Sequence, residues 1–204
     1  MSTFVSRARA RLTLALALGV AGLSACATPT VPLNYAPSSV KSATGALSIG
    51  EFRYLPAEPT AEKPIKPNRI RNTALGQVLV DREVRQFVRD AIFAELRFVG
   101  VSVNASSPIL TGDIEEFLID DLGYSVDWTL RVRYVLTDAV TKSTVYDSVK
   151  DVQRNTAKFS NVFGALNETV KLSAEQLLDD QAFLAAINPS AEEPATDAAA
   201  GDAK

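Results

Sequence analysis

The side chains that most often carry enzymatic chemistry are scarce in this sequence. Its 204 residues include no histidine and a single cysteine, Cys26. Ser-His-Asp and Cys-His nucleophiles, histidine-ligated metals, multi-thiolate zinc sites and intrachain disulfides are therefore excluded. The formal net charge of −3 supplies no strong cation field for a phosphate backbone. The composition points away from these enzyme classes and from nucleic acid as a partner.

One stretch of the chain is rich enough in carboxylates to suggest a metal-dependent hydrolase. The candidates are Asp113, Glu115, Glu116, Asp120 and Asp121. On a strand they would lie on alternating faces, and two of them would have arginines opposite, so we interpret them as solvated, ion-paired residues. They also lack the spacing and the glycine of an EF-hand loop. We predict no metal site and no cofactor.

Other catalytic motifs are weak. Ser38 and Lys41 match the pattern S-x-x-K, but the companion motifs of that serine chemistry are missing. Neither of the common glycine-rich phosphate loops occurs. We therefore predict that the protein is not an enzyme and has no catalytic residues, with a carboxylate-based enzyme kept as the third hypothesis.

The first 26 residues have the organisation of a secretory signal. A basic stretch with Arg7, Arg9 and Arg11 precedes an apolar run over residues 12–22, which is shorter than the roughly 20 residues that a transmembrane helix needs. A small-residue segment follows the run and ends in Leu-Ser-Ala before Cys26, which resembles the bacterial lipobox. The alternative is an ordinary signal peptide that is cut nearby, with Cys26 as a bystander.

The lipobox resemblance has consequences for the mature chain. It implies that residues 1–25 are removed and that Cys26 becomes an N-terminal residue carrying three acyl chains, a stable membrane anchor. Ala27, in place of an aspartate, resembles the pattern that sorts lipoproteins to the outer membrane. Cleavage leaves 18 basic and 24 acidic residues, a net charge of −6.

Composition divides the chain into four segments. After the signal peptide at residues 1–25, residues 26–45 hold the lipidated cysteine and a Pro-, Ser-, Thr- and Ala-rich stretch, which we interpret as a flexible tether. Residues 46–187 are predicted to form a single α+β periplasmic domain. Residues 188–204 are rich in alanine and acids and are interpreted as a disordered acidic tail.

Hydrophobic periodicity predicts the main elements of the domain. Apolar residues recur at helical spacing from Val84 to Val99, and they alternate strictly from Val126 to Leu136. A hairpin centred on Gly123 pairs residues whose numbers sum to 246, and the pairs include Leu118 with Trp128, Ile114 with Val132, Leu110 with Leu136, Asp113 with Arg133 and Glu115 with Arg131. Glu116 would face the core in that register, so we expect a bulge there. The predicted fold class is α+β, a mainly antiparallel sheet of four to five strands with two amphipathic helices on one face.

Three groups of residues are candidates for binding. Two are basic and could meet an anionic lipid or an acidic partner: Lys63, Lys66, Arg69 and Arg71 in a proline-rich loop, and Arg82, Arg85 and Arg89 on the first helix. The third is an aromatic pair, Tyr124 and Trp128. Solvation of a loop and a helix face, and burial of Trp128 in the core, are the simpler interpretations.

The order of these pieces resembles the YajG-type bacterial lipoproteins. The resemblance rests on the lipobox, the helix pattern FVRDAIFAEL at residues 87–96 ending in Gly100-Val101, the strand led by Leu110-Thr111-Gly112 and the closing amphipathic helix. It covers residues 46–187 and implies an outer-membrane lipoprotein without established enzymatic activity. Cys26 is the one functional residue that it transfers.

Together these observations predict a non-catalytic envelope protein, anchored through Cys26, that acts by binding another protein. The alternative is an auxiliary lipoprotein of an envelope lipid-transport system of the ABC type, binding lipid or the transporter. Lipid handling needs an apolar cavity of roughly 300 Å³ or more, whereas a protein adaptor needs an exposed patch or a free sheet edge.

Overall fold

The computed structural model describes residues 31–158 and 160–188. Within them the chain forms seven strands and three α-helices: β1 (Ala46–Tyr54), β2 (Arg69–Asn72), β3 (Gly76–Leu79), α1 (Val84–Phe98), β4 (Ser102–Val103), β5 (Ile109–Asp120), β6 (Ser125–Thr137), β7 (Thr144–Ala157), α2 (Val162–Leu178) and α3 (Gln181–Ile187). None of these helices is both long and apolar enough to cross a bilayer. The predicted signal peptide, Cys26 and all but the first residue of the predicted tail lie outside the described residues.

The strands form one mixed sheet organised around β5. On one side, β5 pairs in parallel with β1 and, further along, with β2; on the other it pairs antiparallel with β6, which pairs antiparallel with β7. The α+β class is confirmed. The sheet has seven strands where four to five were predicted, and the described chain has three α-helices where two were predicted. The short extended segments that the sequence indicates at residues 75–80 and 101–103 are present as β3 and β4. Strand β2 was missed, because its four residues are too few for alternation to mark them.

The predicted β5–β6 hairpin is correct over half of its length. Ile114 pairs with Val132 and Leu110 with Leu136, as predicted. The register then shifts by one between Ile114 and Glu116, so the expected bulge lies at this point of the strand. Beyond it the predicted pairing of Leu118 with Trp128 is wrong, because Trp128 lies opposite Ile119 instead. The bulge keeps Glu116 off the buried face and places Phe117 in the core.

The core lies between one face of the sheet and the helices. Helix α1 packs on β1 and α2, and α2 packs on β6 and β7. The inward residues of β6 are those with even numbers, and Trp128, Val132 and Tyr134 are all buried. At Gly112 the ring of Phe52 occupies the space of a side chain, because a Cβ there would lie 2.5 Å from Phe52 Cε2. Gly100, with φ of +109°, ends α1 as a glycine in that position is expected to do.

Residues 31–44, which we name the N-terminal strap, differ from the sequence prediction. The composition predicts a flexible tether, yet the strap lies along the folded domain. Val31 forms a parallel bridge with Val80, Leu33 is buried, and the amide of Ala43 donates to the carbonyl of Val99 at 2.9 Å. The proline- and serine-rich composition reflects an extended segment without its own periodicity, and not one that is free of the domain.

Candidate functional site

The acidic residues of β5 and its following loop do not converge. Asp113 accepts hydrogen bonds from Arg53, Glu115 from Arg131, and Asp120 from Thr73. Asp113 was expected to face Arg133, which is indeed its neighbour in the sheet, but Arg133 instead pairs with Asp147 on β7. Within the described residues, no group of three or more potential metal ligands forms.

Some of the predicted basic residues are engaged with the domain itself, mainly on α1. Arg85 pairs with Glu83 and Glu51, and Arg89 donates to the carbonyl of Gly50 at 2.9 Å. In the proline-rich loop, Arg71 donates to the carbonyl of Lys63 at 3.4 Å. These contacts pair Arg85 and Arg89 within the fold, whereas Lys63 and Lys66 in the loop are exposed.

The S-x-x-K pair does not form a catalytic dyad. Lys41 Nζ lies 2.5 Å from the carboxylate of Asp179, and the amide of Ser38 donates to Glu95 at 2.9 Å. The lysine is therefore an ion-pair partner and holds the strap to the end of α2.

Strand β7 is the long open edge of the sheet. Its 14 residues pair with β6 on one side and with no strand on the other, among the described residues. Val145 and Val149 are exposed on this edge strand. A single side chain in the described part of the chain, Gln176, hydrogen-bonds to the β7 backbone, by donating to the carbonyl of Asp151 at 3.0 Å. An open edge of this length leaves amide and carbonyl groups available to another strand.

A groove runs beside this edge, between β7 and α2. It has a volume of about 530 Å³, and Lys41, Asp151, Glu175 and Asp179 are among its charged lining residues. Side chains of a strand added to β7 would lie over such a groove at alternate positions. Three of the four charges are acidic, which suits a partner segment with basic residues.

Asp180 ties α3 to β7 near the start of the open edge. Its Oδ2 accepts from Lys150 Nζ at 2.6 Å and from the hydroxyl of Tyr146 at 2.8 Å, while its Oδ1 caps α3 at the amide of Ala182. The hydrogen bond from Lys150 lowers the pKa of Asp180 to about 2, helped by Tyr146 and opposed by partial burial. This carboxylate fixes the geometry of the edge strand and is not a free acid or base.

An apolar cavity lies at the end of the sheet where β5 meets the start of β6 and where β7 ends, away from Asp180. Its volume is about 220 Å³, and Val31, Leu75, Val126, Trp128 and Val162 are among its lining residues. Trp128 is buried, and its indole N–H donates to Thr156 at 2.9 Å, so it is a core residue as the simpler interpretation holds. The volume is below that expected for lipid handling.

Sequence reasoning missed the buried carboxylate of Glu95. Glu95 is fully buried on α1, where it accepts hydrogen bonds from the hydroxyl of Tyr35 and the amides of Ser38 and Ser39. The signal was present, because position 95 falls on the same helical stripe as Val88, Ala91 and Ile92. A charge on an apolar stripe indicates a buried polar partner, and here that partner is the strap.

Comparisons with known proteins give a fold and no family. No family model matches the chain, and no curated protein matches it by sequence. The protein XCC0632 from Xanthomonas campestris, described under DUF330, is similar in structure with a TM-score of 0.54 at 14% identity, over 80% of this chain and 98% of that one. The likeness shows a shared fold.

Two further structures are more distant. The protein CT253 from Chlamydia trachomatis has a TM-score of 0.48 at 12% identity, over 71% of this chain and 98% of its own. The lipoprotein GNA1162 from Neisseria meningitidis has a TM-score of 0.39 at 10% identity, over 67% of this chain and 99% of its own. None of these matches is specific to the YajG-type lipoproteins.

Proposed function

We propose that this protein is a lipid-anchored accessory protein of the bacterial envelope, acting without catalysis by binding another protein along strand β7. The observation that carries the proposal is the open 14-residue edge of β7 with its adjoining groove. Addition of a strand from a partner would satisfy the free backbone groups and cover Val145 and Val149.

The anchor comes from the sequence. The lipobox-like segment before Cys26 supports acylation of that cysteine, and the resemblance to YajG-type lipoproteins supports an outer-membrane location facing the periplasm. Protein binding is favoured over lipid carriage because the enclosed apolar cavity, at about 220 Å³, is smaller than a lipid-carrying protein needs.

Site-specific crosslinking in cells tests the binding surface. A photo-crosslinking amino acid replaces Val149 on β7 in one variant and Phe98 at the end of α1 in the control, because both side chains are exposed. We expect one defined protein adduct from position 149 and none of the same mass from position 98. Equal adducts from both positions, or no protein adduct from position 149, would contradict binding along β7.

A further inference from the structure

Five large apolar side chains cluster at one end of the domain, and we name them the apolar rim: Leu75, Leu122, Tyr124, Val162 and Phe163. All five are exposed, and Tyr124 is as exposed as in an extended chain. Leu75 and Val162 line the cavity that also contains Val31. Leu122 and Tyr124 belong to the β5–β6 loop, whose Asp121 lines the same cavity.

Hydrogen bonds hold the rim segments together. The hydroxyl of Thr73 donates to Asp120 at 2.7 Å and accepts from the amide of Asp121 at 2.8 Å, which joins the β2–β3 turn to the β5–β6 loop. Lys158 Nζ donates to the carbonyls of Asp121 and Gly123, which joins the segment before α2 to the same loop. The rim is therefore a fixed surface and not a set of independent loop tips.

The N-terminus of the described chain emerges at this same end. The amide of Val31 donates to the carbonyl of Leu79 at 2.8 Å, and the carbonyl of Val31 accepts from the amide of Asp81 at 3.0 Å. Val31 is five residues from Cys26, and a residue spans at most about 3.6 Å, so the chain between them can reach at most about 18 Å. An acylated Cys26 would bring the cavity mouth and its rim to the head groups of the bilayer.

We propose that the apolar rim docks into the interfacial region of the phospholipid bilayer that holds the Cys26 lipid. This inference rests on the proposed anchor. Apolar side chains enter that region at their tips, and tyrosine is enriched there because its ring is apolar and its hydroxyl is polar. Lys158 Nζ lies 3.4 Å from the carboxylate of Asp121, so the acidic charge of Asp121 beside the rim is balanced.

The docked orientation leaves the rest of the domain accessible. The turn between β6 and β7 lies at the far end of the hairpin, about 40 Å away for strands of this length. Val140 in that turn is 83% exposed and would point away from the membrane. The β7 edge would then run from the membrane surface outward, along its full length.

Fluorescent labels on the full-length lipidated protein test this orientation. Leu122→Cys and Val140→Cys are compared, since both residues are more than 70% exposed and should tolerate the change. An acylated Cys26 has no free thiol, so the label reaches only the introduced cysteine. The proteins are reconstituted into vesicles of phosphatidylethanolamine and phosphatidylglycerol, and quenching by a lipid-soluble quencher is measured.

The expected result is a blue-shifted emission and several-fold stronger quenching at position 122 than at position 140. An acylated protein whose label at position 122 stays in water, or is quenched no more than the label at position 140, overturns the docking and leaves a protein as the occupant of the rim. The intact mass of the same preparation separates the two claims, since an unacylated Cys26 overturns the anchor and the docking with it.

Discussion

The backbone amide of Ser39 donates to Glu95 Oε2 at 3.2 Å, across 56 positions of sequence, inside the domain. The contact joins the N-terminal strap to the buried side of α1. Since Glu95 also accepts from the amide of Ser38 and the hydroxyl of Tyr35, one buried carboxylate serves three donors of the strap. The strap is thereby part of the folded domain.

Replacing Glu95 by glutamine should release the strap. The single amide oxygen of glutamine can accept fewer of these hydrogen bonds, and its NH2 group would face strap donors that then lack an acceptor. We therefore expect a loss of about 3 kcal/mol in the free energy of unfolding. Hydrogen exchange should accelerate at the amides of Ser38 and Ser39. The matched control is Glu168→Gln, whose carboxylate makes a more exposed pair with Lys171. Unchanged protection of the strap in Glu95→Gln would contradict this role.

Acid should weaken the attachment of α3 to β7 through Asp180. Its pKa of about 2 lies below the ordinary value of 3.8, so its contribution is complete above about pH 4 and is lost as the pH falls towards 2. The difference between these two pKa values corresponds to about 2 kcal/mol in the free energy of unfolding.

Denaturant unfolding at pH 2 to 6 measures this contribution. Asp180→Asn should lower stability at pH 6 and flatten the acid slope, whereas Asp179→Asn, at a more exposed ion pair, should change both little. Equal acid slopes for wild type and Asp180→Asn would show that Asp180 does not contribute as described.

An inward position of β6 should not tolerate a charge. Val132 is fully buried between the sheet and the helices, so Val132→Asp should cost about 4 kcal/mol or more and unfold the domain. Val140→Asp, at an exposed turn, is the control and should leave the melting temperature nearly unchanged. A folded, soluble Val132→Asp protein would refute the inward face of β6.

Removal of the thiol at position 26 should release the protein from membranes. Each buried methylene of an acyl chain contributes about 0.8 kcal/mol, so the loss of three chains leaves only the weak binding of the apolar rim. Cys26→Ala should therefore wash from sedimented membranes, while Thr28→Ser, outside the lipobox-like segment, should remain. A Cys26→Ala protein that sediments fully and resists washing would contradict the anchor.

Local patterns explain what the sequence could predict. The stripe of α1 and the alternation of β6 are periodic over more than ten residues, and opposite charges and apolar residues agree on one register up to Ile114. The bulge was also predictable, because Glu116 conflicted with that register. These signals depend on neighbours along the chain or across a tight hairpin.

Non-local packing explains what the sequence prediction lacked. The parallel pairing of β1 and β2 with the same strand joins segments far apart in sequence, and no tight turn fixes their register as it does for the β5–β6 hairpin. The composition of the strap predicts a tether, whereas two other features of the sequence point to docking: the apolar Leu33 and the charge of Glu95 on a core stripe. Considered together, they indicate a segment that docks on α1.

The most direct test of the central claim compares what crosslinks to the protein in cells when the β7 edge is open and when it is blocked. The double variant Val145→Lys, Val149→Lys places charges on two exposed positions of the edge strand. Natural sheets use lysines on edge strands to prevent strand addition. After crosslinking and purification from washed membranes, mass spectrometry of the wild type should identify a reproducible envelope protein. The double variant should remain in the membrane fraction and lose that protein by a large factor. An identical set of crosslinked proteins from both would contradict binding along β7.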